Sequence, residues 1–189
     1  MKTLAVILLF LIVLPSSAGC AITHTYGPYL GKVVEAETKE PIEGAAVLAV
    51  FYTEEYGPAG AITRYADAIE TVTDKNGEFK IPAYRVTVFR PLQGWDSNGY
   101  FTIFKPGYGH YPDSKGVNPM FVPNGSLPIN QYVIIELPRL KTKEERLNMP
   151  SVNFEIPYEK QKKFIELINQ EMEKMGATGK YSKESFGHR

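Results

Sequence analysis

The sequence has little cysteine, little histidine and no excess of charge. Cys20 is the only cysteine, so no internal disulfide can form and the fold must be stabilised by its core. Lysine and arginine number 21, as do aspartate and glutamate. This balance argues against nucleic acid as a partner and against electrostatic attachment to a membrane, because both need a concentrated positive field. The longest apolar run, residues 4–14, would rise about 16 Å as a helix, which is roughly half of a bilayer core.

The N-terminus has the three zones of a secretory signal peptide, with a lysine, the apolar run and then small residues. Ser17, Ala18 and Gly19 before Cys20 resemble a bacterial lipobox, with Ser17 where that family usually has leucine. The resemblance implies that residues 1–19 are removed as a signal peptide. It also implies that Cys20 carries an acyl chain such as palmitate, which anchors the mature protein to a membrane. The alternative is a secreted protein with a free thiol.

The residue after the predicted anchor bears on localisation. Lipoproteins with aspartate at this place are typically retained at the inner membrane, whereas this chain has Ala21. For a Gram-negative host we therefore expect an outer-membrane lipoprotein on either the periplasmic or the surface face. Residues 20–28 have no periodic apolar pattern and are interpreted as a tether.

Residues 29–140 have a sequence pattern typical of an antiparallel β sandwich. Short runs rich in Val, Ile, Tyr, Phe and Thr alternate with Gly, Pro, Asn and Asp. The predicted strands are 29–36, 45–52, 64–73, 78–81, 85–92, 100–104 and 132–137. Residues 74–77, Asp-Lys-Asn-Gly, predict a hairpin between the third and fourth of these, because Asn and Gly tolerate positive φ angles. Residues 54–63 and 93–130 are interpreted as enlarged loops.

The last part of the chain has helical patterns. Residues 142–145 fit a capping box, so a short helix is expected there. A longer helix is expected between Pro157 and Gly176, with an apolar stripe at spacings of three and four. Such a stripe usually docks on its own domain, and a partner or a membrane surface is the alternative. Residues 141–176 are therefore predicted to be a helical appendage, and residues 177–189 a flexible tail.

A family resemblance covers residues 29–137 and is carried by residues 30–81. The residues that carry it are Gly31, Val33, Val34, Thr38, Pro41, Ile42, Gly44, Ala45, Val47, Thr71, Thr73, Asp74, Asn76, Gly77, Phe79 and Ile81. In order and spacing they resemble the carboxypeptidase regulatory-like family, whose domains are immunoglobulin-like or prealbumin-like β sandwiches. The resemblance implies such a sandwich over residues 29–140. It also implies a role in folding, spacing or binding rather than in catalysis.

The sequence offers no convincing set of catalytic or metal-binding residues. His24, His110 and His188 share no metal-ligand spacing, and there is no Gly-x-Ser-x-Gly motif and no phosphate loop. Two Asp-x-Asn-Gly segments, which start at residues 74 and 96, begin like calcium loops. Their twelfth positions are Arg85 and Gly107 instead of glutamate. We therefore expect no enzymatic activity, no metal and no cofactor.

The loop 93–130 combines aromatic rings with polar groups. The candidate ligand-binding residues are Trp95, Asp96, Tyr100, Tyr108, His110 and Tyr111, and Asn98, Phe101, Asp113, Asn118 and Phe121 belong to the same cluster. Flat rings beside amides and carboxylates can bind a sugar or a peptide. The alternative is that these rings cover the open end of the sandwich.

These patterns predict a non-catalytic, lipid-anchored module of the cell envelope with a structural, accessory or protein-interaction role. A carbohydrate- or peptide-binding module that uses the aromatic loop 93–125 is the second hypothesis, and an unrecognised hydrolase is the third. The expected partners are the membrane, through the lipid, and an envelope protein. A glycan or a peptide is the partner in the second hypothesis.

Overall fold

The computed structural model describes residues 22–58, 60–112 and 125–187. The predicted signal peptide, Cys20, Asp113, Asn118, Phe121 and His188 lie outside these residues. The strands are β1 (Thr23–Tyr26), β2 (Tyr29–Glu35), β3 (Ala46–Gly57), β4 (Gly60–Val72), β5 (Glu78–Ile81), β6 (Tyr84–Thr87), β7 (Gly94–Trp95), β8 (Tyr100–Phe104) and β9 (Tyr132–Leu137). Two α-helices follow, α1 (Lys143–Arg146) and α2 (Lys162–Lys174), with 3₁₀ turns at Tyr158–Lys160 and Lys183–Phe186. The predicted fold class, a mainly β sandwich with C-terminal helix, is confirmed.

The first sheet is built on β2, which pairs antiparallel with β5 and parallel with β9. The parallel pair departs from the fully antiparallel arrangement that we expected. β1 and β6 form a further ladder that continues the β2–β5 ladder in the same register, with Tyr29 opposite Ile81 and Tyr26 opposite Tyr84. Pro28 stands in the gap between the two ladders, where a residue without an amide donor costs no ladder bond.

The second sheet is centred on β3, which pairs antiparallel with β4 on one side and with β7 and β8 on the other. β3 and β4 form a long hairpin that closes at Gly57 and Gly60. The interpretation of residues 54–63 as an enlarged loop is therefore wrong, because residues 54–57 continue β3 and residues 60–63 belong to β4. β4 is an edge strand of this sheet.

β3 contributes to two cores, because its side chains alternate between the two faces of the second sheet. The first core lies between the sheets and contains Ala45, Val47, Ala49 and Phe51. The second core lies between the second sheet and α2, and contains Ala46, Leu48, Val50, Phe164, Ile165, Leu167 and Ile168. The apolar stripe of the helix therefore docks on its own domain, which was the first of the two alternatives.

The turn at residues 74–77 forms as predicted, but it does not make a hairpin. Gly77 has a φ angle of +75°, and Asp74 Oδ1 accepts hydrogen bonds from the amides of Asn76 and Glu78. β4 pairs with β3 whereas β5 pairs with β2, so the chain crosses from the second sheet to the first at this turn. The hairpin prediction was wrong because turn residues specify a reversal and do not specify the partner strand.

Two segments that were predicted to be loose belong to the fold. Residues 23–26 of the predicted tether form β1, and Tyr26 is fully buried. In the predicted tail, the amide and the carbonyl of Tyr181 bond to the side chain of Asn169 at 2.8 and 2.7 Å. Short segments with one or two apolar residues show no period, so a periodicity argument does not find them.

The helices begin close to the predicted places. Thr142 Oγ1 accepts from the amide of Glu145, and the Glu145 carboxylate accepts from the amide of Thr142, so the capping box of α1 is present. α2 begins after a 3₁₀ turn and is shorter than the predicted span between Pro157 and Gly176. Among the described residues, no helix has the length and hydropathy needed to cross a bilayer.

Candidate functional site

The six candidate residues of the aromatic loop are distributed over both ends of β8. Trp95 is opposite Thr53 on β3, whereas Phe104 is opposite Ala46, seven residues earlier on β3. At about 3.3 Å per residue these positions are roughly 23 Å apart. Tyr108 lies in the turn directly after Phe104. The structure therefore does not bring Trp95 and Tyr108 together in one pocket.

Asp96 is buried and stabilises the turn before β8. Its Oδ1 accepts the Asn98 amide at 2.9 Å, and its Oδ2 accepts the Tyr100 hydroxyl at 2.6 Å. Its backbone carbonyl accepts the Tyr26 hydroxyl at 2.7 Å. The hydrogen bond to Asp96 is the main cause that raises the pKa of Tyr100 to about 12, and burial adds to it. Both carboxylate oxygens of Asp96 are thus used to position the loop.

Trp95 extends a row of rings that begins in the first core. Its indole stacks on His24, with ring centroids 5.7 Å apart and an interplanar angle of 24°. It also contacts Tyr26 edge-on at 6.4 Å, and Tyr26 stacks on Phe51 at 4.2 Å. Trp95 is partly exposed, so it closes this end of the core while part of its ring remains in contact with solvent.

The other three candidates also make internal contacts. The hydroxyl of buried Tyr111 donates to the Ser126 carbonyl at 3.0 Å, and burial raises the pKa of Tyr111 to about 12. His110 is buried. The guanidinium of Arg139 lies over the ring of Tyr108 at 5.2 Å and donates to its hydroxyl at 2.9 Å. These contacts fit the alternative in which the rings cover the sandwich, and ligand binding by these residues stays a prediction.

A cleft that the sequence did not indicate lies along the exposed half of β4. We call it the β4 cleft. It has a volume of about 600 Å³ and is lined by Ile62, Thr63, Arg64, Tyr65, Arg90, Phe154, Glu155, Pro157 and Phe186. One wall is an edge strand, and the other comes from the segment before α2 and the last 3₁₀ turn. A volume of several hundred Å³ is typical of a binding site.

Two guanidinium groups line one side of the β4 cleft. Arg90 donates to Thr53 Oγ1 and to the Tyr65 carbonyl, both at 2.8 Å. These acceptors are neutral, so they do not neutralise the charge of Arg90. Arg64 pairs with Glu55 at 3.0 Å, and about half of each side chain is exposed. An exposed ion pair is weak, so Arg64 can exchange this carboxylate for an acidic group of a ligand.

The opposite wall of the β4 cleft carries two aromatic rings, those of Phe154 and Phe186, together with Pro157 and the carboxylate of Glu155. Phe154 is 45% exposed, which leaves nearly half of its ring for a ligand. The same ring contacts Phe186 at 5.1 Å and Tyr181 at 5.9 Å, so its position is fixed by its neighbours. The cleft therefore joins an apolar platform to cationic groups. This arrangement suits an extended peptide with an apolar and an acidic side chain.

Sequence reasoning missed the β4 cleft because its walls come from four separate segments of the chain. Residues 62–63 end a predicted loop and residues 64–65 begin a predicted strand. Residue 90 lies near the end of another predicted strand, residues 154–157 lie at the start of the predicted helix, and residue 186 lies in the predicted tail. No short motif spans such a set. The one local signal is Phe154, an aromatic residue outside the apolar stripe of α2.

Across residues 22–58, 60–112 and 125–187, no group of three His, Cys, Asp or Glu side chains is placed to hold a metal ion. Comparison with protein-family models, curated protein sequences and solved structures finds no match to this chain. The fold and the β4 cleft therefore define a class of protein: a β-sandwich module with a docked C-terminal helix and a cleft at an edge strand.

Proposed function

We propose that the protein is a lipid-anchored, non-catalytic module of the bacterial cell envelope that holds a protein partner close to the membrane. The observation that carries the proposal is the short distance between the predicted anchor and the fold. The Val88 amide donates to the Ile22 carbonyl at 3.0 Å, so the chain is already part of a ladder two residues after Cys20. Two residues span at most about 7 Å. An acyl chain on Cys20 would therefore hold the folded domain directly at the bilayer.

The non-catalytic part of the proposal is supported by how the fold uses its polar groups. Asp96 holds a turn, Tyr111 donates to a backbone carbonyl, and Arg90 ties its loop to β3 and β4. Each of these contacts stabilises the sandwich. Nucleophilic catalysis would need a base beside a nucleophile, and none of these three contacts supplies that pair.

The anchor is tested by acylation in a Gram-negative host. Cells grown with labelled palmitate should incorporate the label into the full-length protein, and Cys20→Ser should abolish both the label and the membrane association. Ser17→Ala is a matched control that keeps a small residue before the cysteine. Label retained by Cys20→Ser would contradict the proposal.

Because Ala21 follows Cys20, we also propose sorting to the outer membrane. Separation of the two membranes on a density gradient should place the protein in the outer-membrane fraction, and Ala21→Asp should move it to the inner membrane. A wild-type protein found wholly with the inner membrane would contradict this part of the proposal.

The β4 cleft is the proposed site for the protein partner, because it is the place where exposed rings and guanidinium groups converge. A photo-crosslinking amino acid at Phe154 should capture one defined envelope protein in cells, whereas the same amino acid at Lys75, in the turn after β4, should not. Arg64→Glu should abolish the crosslink at Phe154. A crosslink that survives Arg64→Glu, with the fold intact by circular dichroism, would contradict this assignment.

A second candidate function is binding of a cell-wall peptide or a glycan. The observation that favours it is that Trp95, Thr53 and Arg64 lie in one row across the second sheet. Two strand spacings separate Trp95 from Arg64, or roughly 10 Å. A ligand in the β4 cleft would therefore bind within reach of the sole tryptophan and of a cationic group.

Fluorescence titration of the mature protein with cell-wall peptides and glycans tests this candidate. A saturable change in Trp95 emission that is lost in Arg64→Ala would favour it over a protein partner. Lys75→Ala serves as the control because it also removes one exposed positive charge. No response to any of the ligands would leave the protein partner as the proposal.

A further inference from the structure

Three large apolar side chains are exposed where the described chain begins. Ile22 is 44% exposed, Phe89 76% and Leu92 94%. A soluble surface rarely places side chains of this size together in solvent without a binding role. We call these three residues the apolar rim.

Backbone contacts hold the apolar rim together. The hydrogen bond from the Val88 amide to the Ile22 carbonyl places Phe89, the next residue, beside the start of the chain. The Gln93 amide then donates to the Arg90 carbonyl at 3.3 Å, which closes a turn with Leu92 near its tip.

Leu92 has a φ angle of +72°. This left-handed conformation costs an L residue free energy, and such strain is often found at functional sites. The strain and the exposure of Leu92 together indicate that the turn serves to present this side chain outward.

We propose that the apolar rim inserts into the bilayer that holds the acyl chain of Cys20, so that the domain has one fixed orientation on the membrane. This inference rests on the proposed lipid anchor. The chain between Cys20 and Ile22 spans at most about 7 Å, which is too short to let the rim move away from the lipid surface.

The two-residue link to Cys20 favours a lipid surface over a second copy of this chain, and an exposed arginine beside the rim suits such a surface. Arg85 lies four residues before Phe89 and is exposed, with a guanidinium nitrogen 3.5 Å from Thr23 Oγ1. The guanidinium of Arg90 is instead held by Thr53 Oγ1 and the Tyr65 carbonyl. An exposed arginine beside apolar side chains is typical of segments that lie at the interface, where the guanidinium meets lipid phosphates.

The orientation has a consequence for the β4 cleft. β1 and β2 lead away from the rim, so the turn at residues 36–40 lies roughly 40 Å from Ile22 at about 3.3 Å per residue. Arg90 lines the β4 cleft and is also the neighbour of Phe89. The cleft therefore opens beside the membrane, and the turn at residues 36–40 points away from it.

Depth-dependent quenching tests the orientation on the acylated protein. Because Cys20 is the only cysteine, its acylation leaves an introduced cysteine as the only free thiol for a fluorophore. Leu92→Cys and Glu40→Cys are both at exposed positions, so neither label should disturb the core. The labelled proteins are reconstituted into vesicles of phosphatidylethanolamine and phosphatidylglycerol that contain a lipid with a nitroxide on its acyl chain.

The label at Leu92→Cys should lose most of its fluorescence to the nitroxide lipid, and the label at Glu40→Cys should keep it. Phe89→Gln in the Leu92→Cys protein should reduce the quenching, whereas Ile134→Gln, at an exposed position on β9, should leave it unchanged. Equal fluorescence at both labels, with the protein still floating with the vesicles, would overturn the orientation but not the anchor. Failure of acylation at Cys20 would overturn both.

Discussion

Gly77 lies in the turn where the chain passes from the second sheet to the first, and its surroundings leave no space for a side chain. A Cβ atom at this position would lie 2.4 Å from the carbonyl oxygen of Val33, and the φ angle is +75°. Gly176, after α2, has a similar φ angle of +82° but no heavy atom within 4 Å of such a Cβ. The two glycines therefore separate the effect of backbone conformation from the effect of a close contact.

We expect Gly176→Ala to lower the free energy of unfolding by about 1 kcal/mol, the cost of a left-handed alanine. Gly77→Ala adds a clash with backbone in a packed region, so a loss of about 3 kcal/mol or more is expected. Urea denaturation of both variants measures the difference. Equal losses would mean that β2 can move away from Gly77 at little cost.

Glu35 links the stability of the fold to acid pH. Its carboxylate is buried at the end of β2 and accepts the amides of Glu37 and Thr38 at 3.1 and 2.8 Å. The Thr38 hydroxyl and these amides lower the pKa of Glu35 to about 2. A carboxylate with a lowered pKa stabilises the folded state above its ordinary pKa, and this contribution is lost as the pH falls towards 2.

The substitution Glu35→Gln should therefore lower the melting temperature near neutral pH, and the deficit should shrink between about pH 4.5 and pH 2. Thermal melts of both proteins across this range measure the deficit. Glu37→Gln is the control, because its carboxylate is exposed and pairs with exposed Lys141. A deficit that does not change with pH would show that Glu35 acts by packing rather than by charge.

At the scale of the elements, one ion pair joins the two C-terminal helices. Arg146 of α1 donates to Glu171 of α2 at 2.8 Å, and the side chain of Glu171 is 1% exposed. Its second oxygen, Oε2, accepts no hydrogen bond from the described residues. Loss of the guanidinium would leave a buried carboxylate unpaired, which is far more costly than the loss of an exposed pair.

We expect Arg146→Ala to destabilise the protein by about 2–3 kcal/mol, below the full cost of a buried pair because Arg146 is partly exposed. Lys183→Ala removes the exposed pair with Glu159 and should cost less than about 1 kcal/mol. The double substitution Arg146→Met and Glu171→Met removes both charges. It should recover most of the stability that Arg146→Ala loses. If Arg146→Ala and Lys183→Ala lower the free energy of unfolding by the same amount, the Arg146–Glu171 pair contributes no more than a surface contact.

The elements also show what local patterns can and cannot predict. The strands 78–81, 100–104 and 132–137 have the predicted bounds, because each is a short alternating run between turn residues. The predicted strand 85–92 ends at Thr87, since Phe89 and Leu92 are apolar without being buried. A hydropathy pattern cannot distinguish apolar residues that are buried in a strand from apolar residues that are exposed, because it does not say which surface covers a side chain.

The same limit applies to the aromatic loop, because its sequence does not say which of its residues lie close together. The loop 93–130 was expected to carry aromatic residues beside polar ones, and Trp95 and Asp96 do lie together at one end of β8. Tyr108 lies at the other end, because the length of β8 separates them. The β4 cleft depends on how α2 brings Phe154 and Phe186 to β4, and that contact is long-range.

For the molecule as a whole, the stripe on α2 explains why the helix cannot be a dispensable appendage. β3 is buried on both faces, so one sheet serves both cores. Phe164 of α2 meets Phe104 of β8 at 6.3 Å in the second core. Without the helix, Leu48, Val50 and Phe104 would face solvent. The sandwich and the helix are therefore expected to unfold in one transition.

Ionisation of the buried tyrosines should set the highest pH at which the folded state is stable. Burial is the largest cause that raises the pKa values of Tyr29, Tyr65 and Tyr111 to about 12, and it raises the pKa of Tyr26 as well. The folded state thus favours the neutral phenol. This contribution is fully present below the ordinary pKa of about 10 and is lost as the pH rises through the folded value.

We therefore expect the tyrosine contribution to stability to remain constant up to about pH 10 and then to fall, with unfolding near pH 12. Tyrosinate absorbance and circular dichroism, recorded on one sample, should show that the buried phenols ionise together with the loss of β structure. Tyr111→Phe keeps the ring and should reduce by one the number of tyrosines that ionise in this step. If all twelve tyrosines ionised near pH 10 with the β signal unchanged, water would reach the core hydroxyls, and the two sheets would not pack as closely as their buried rings require.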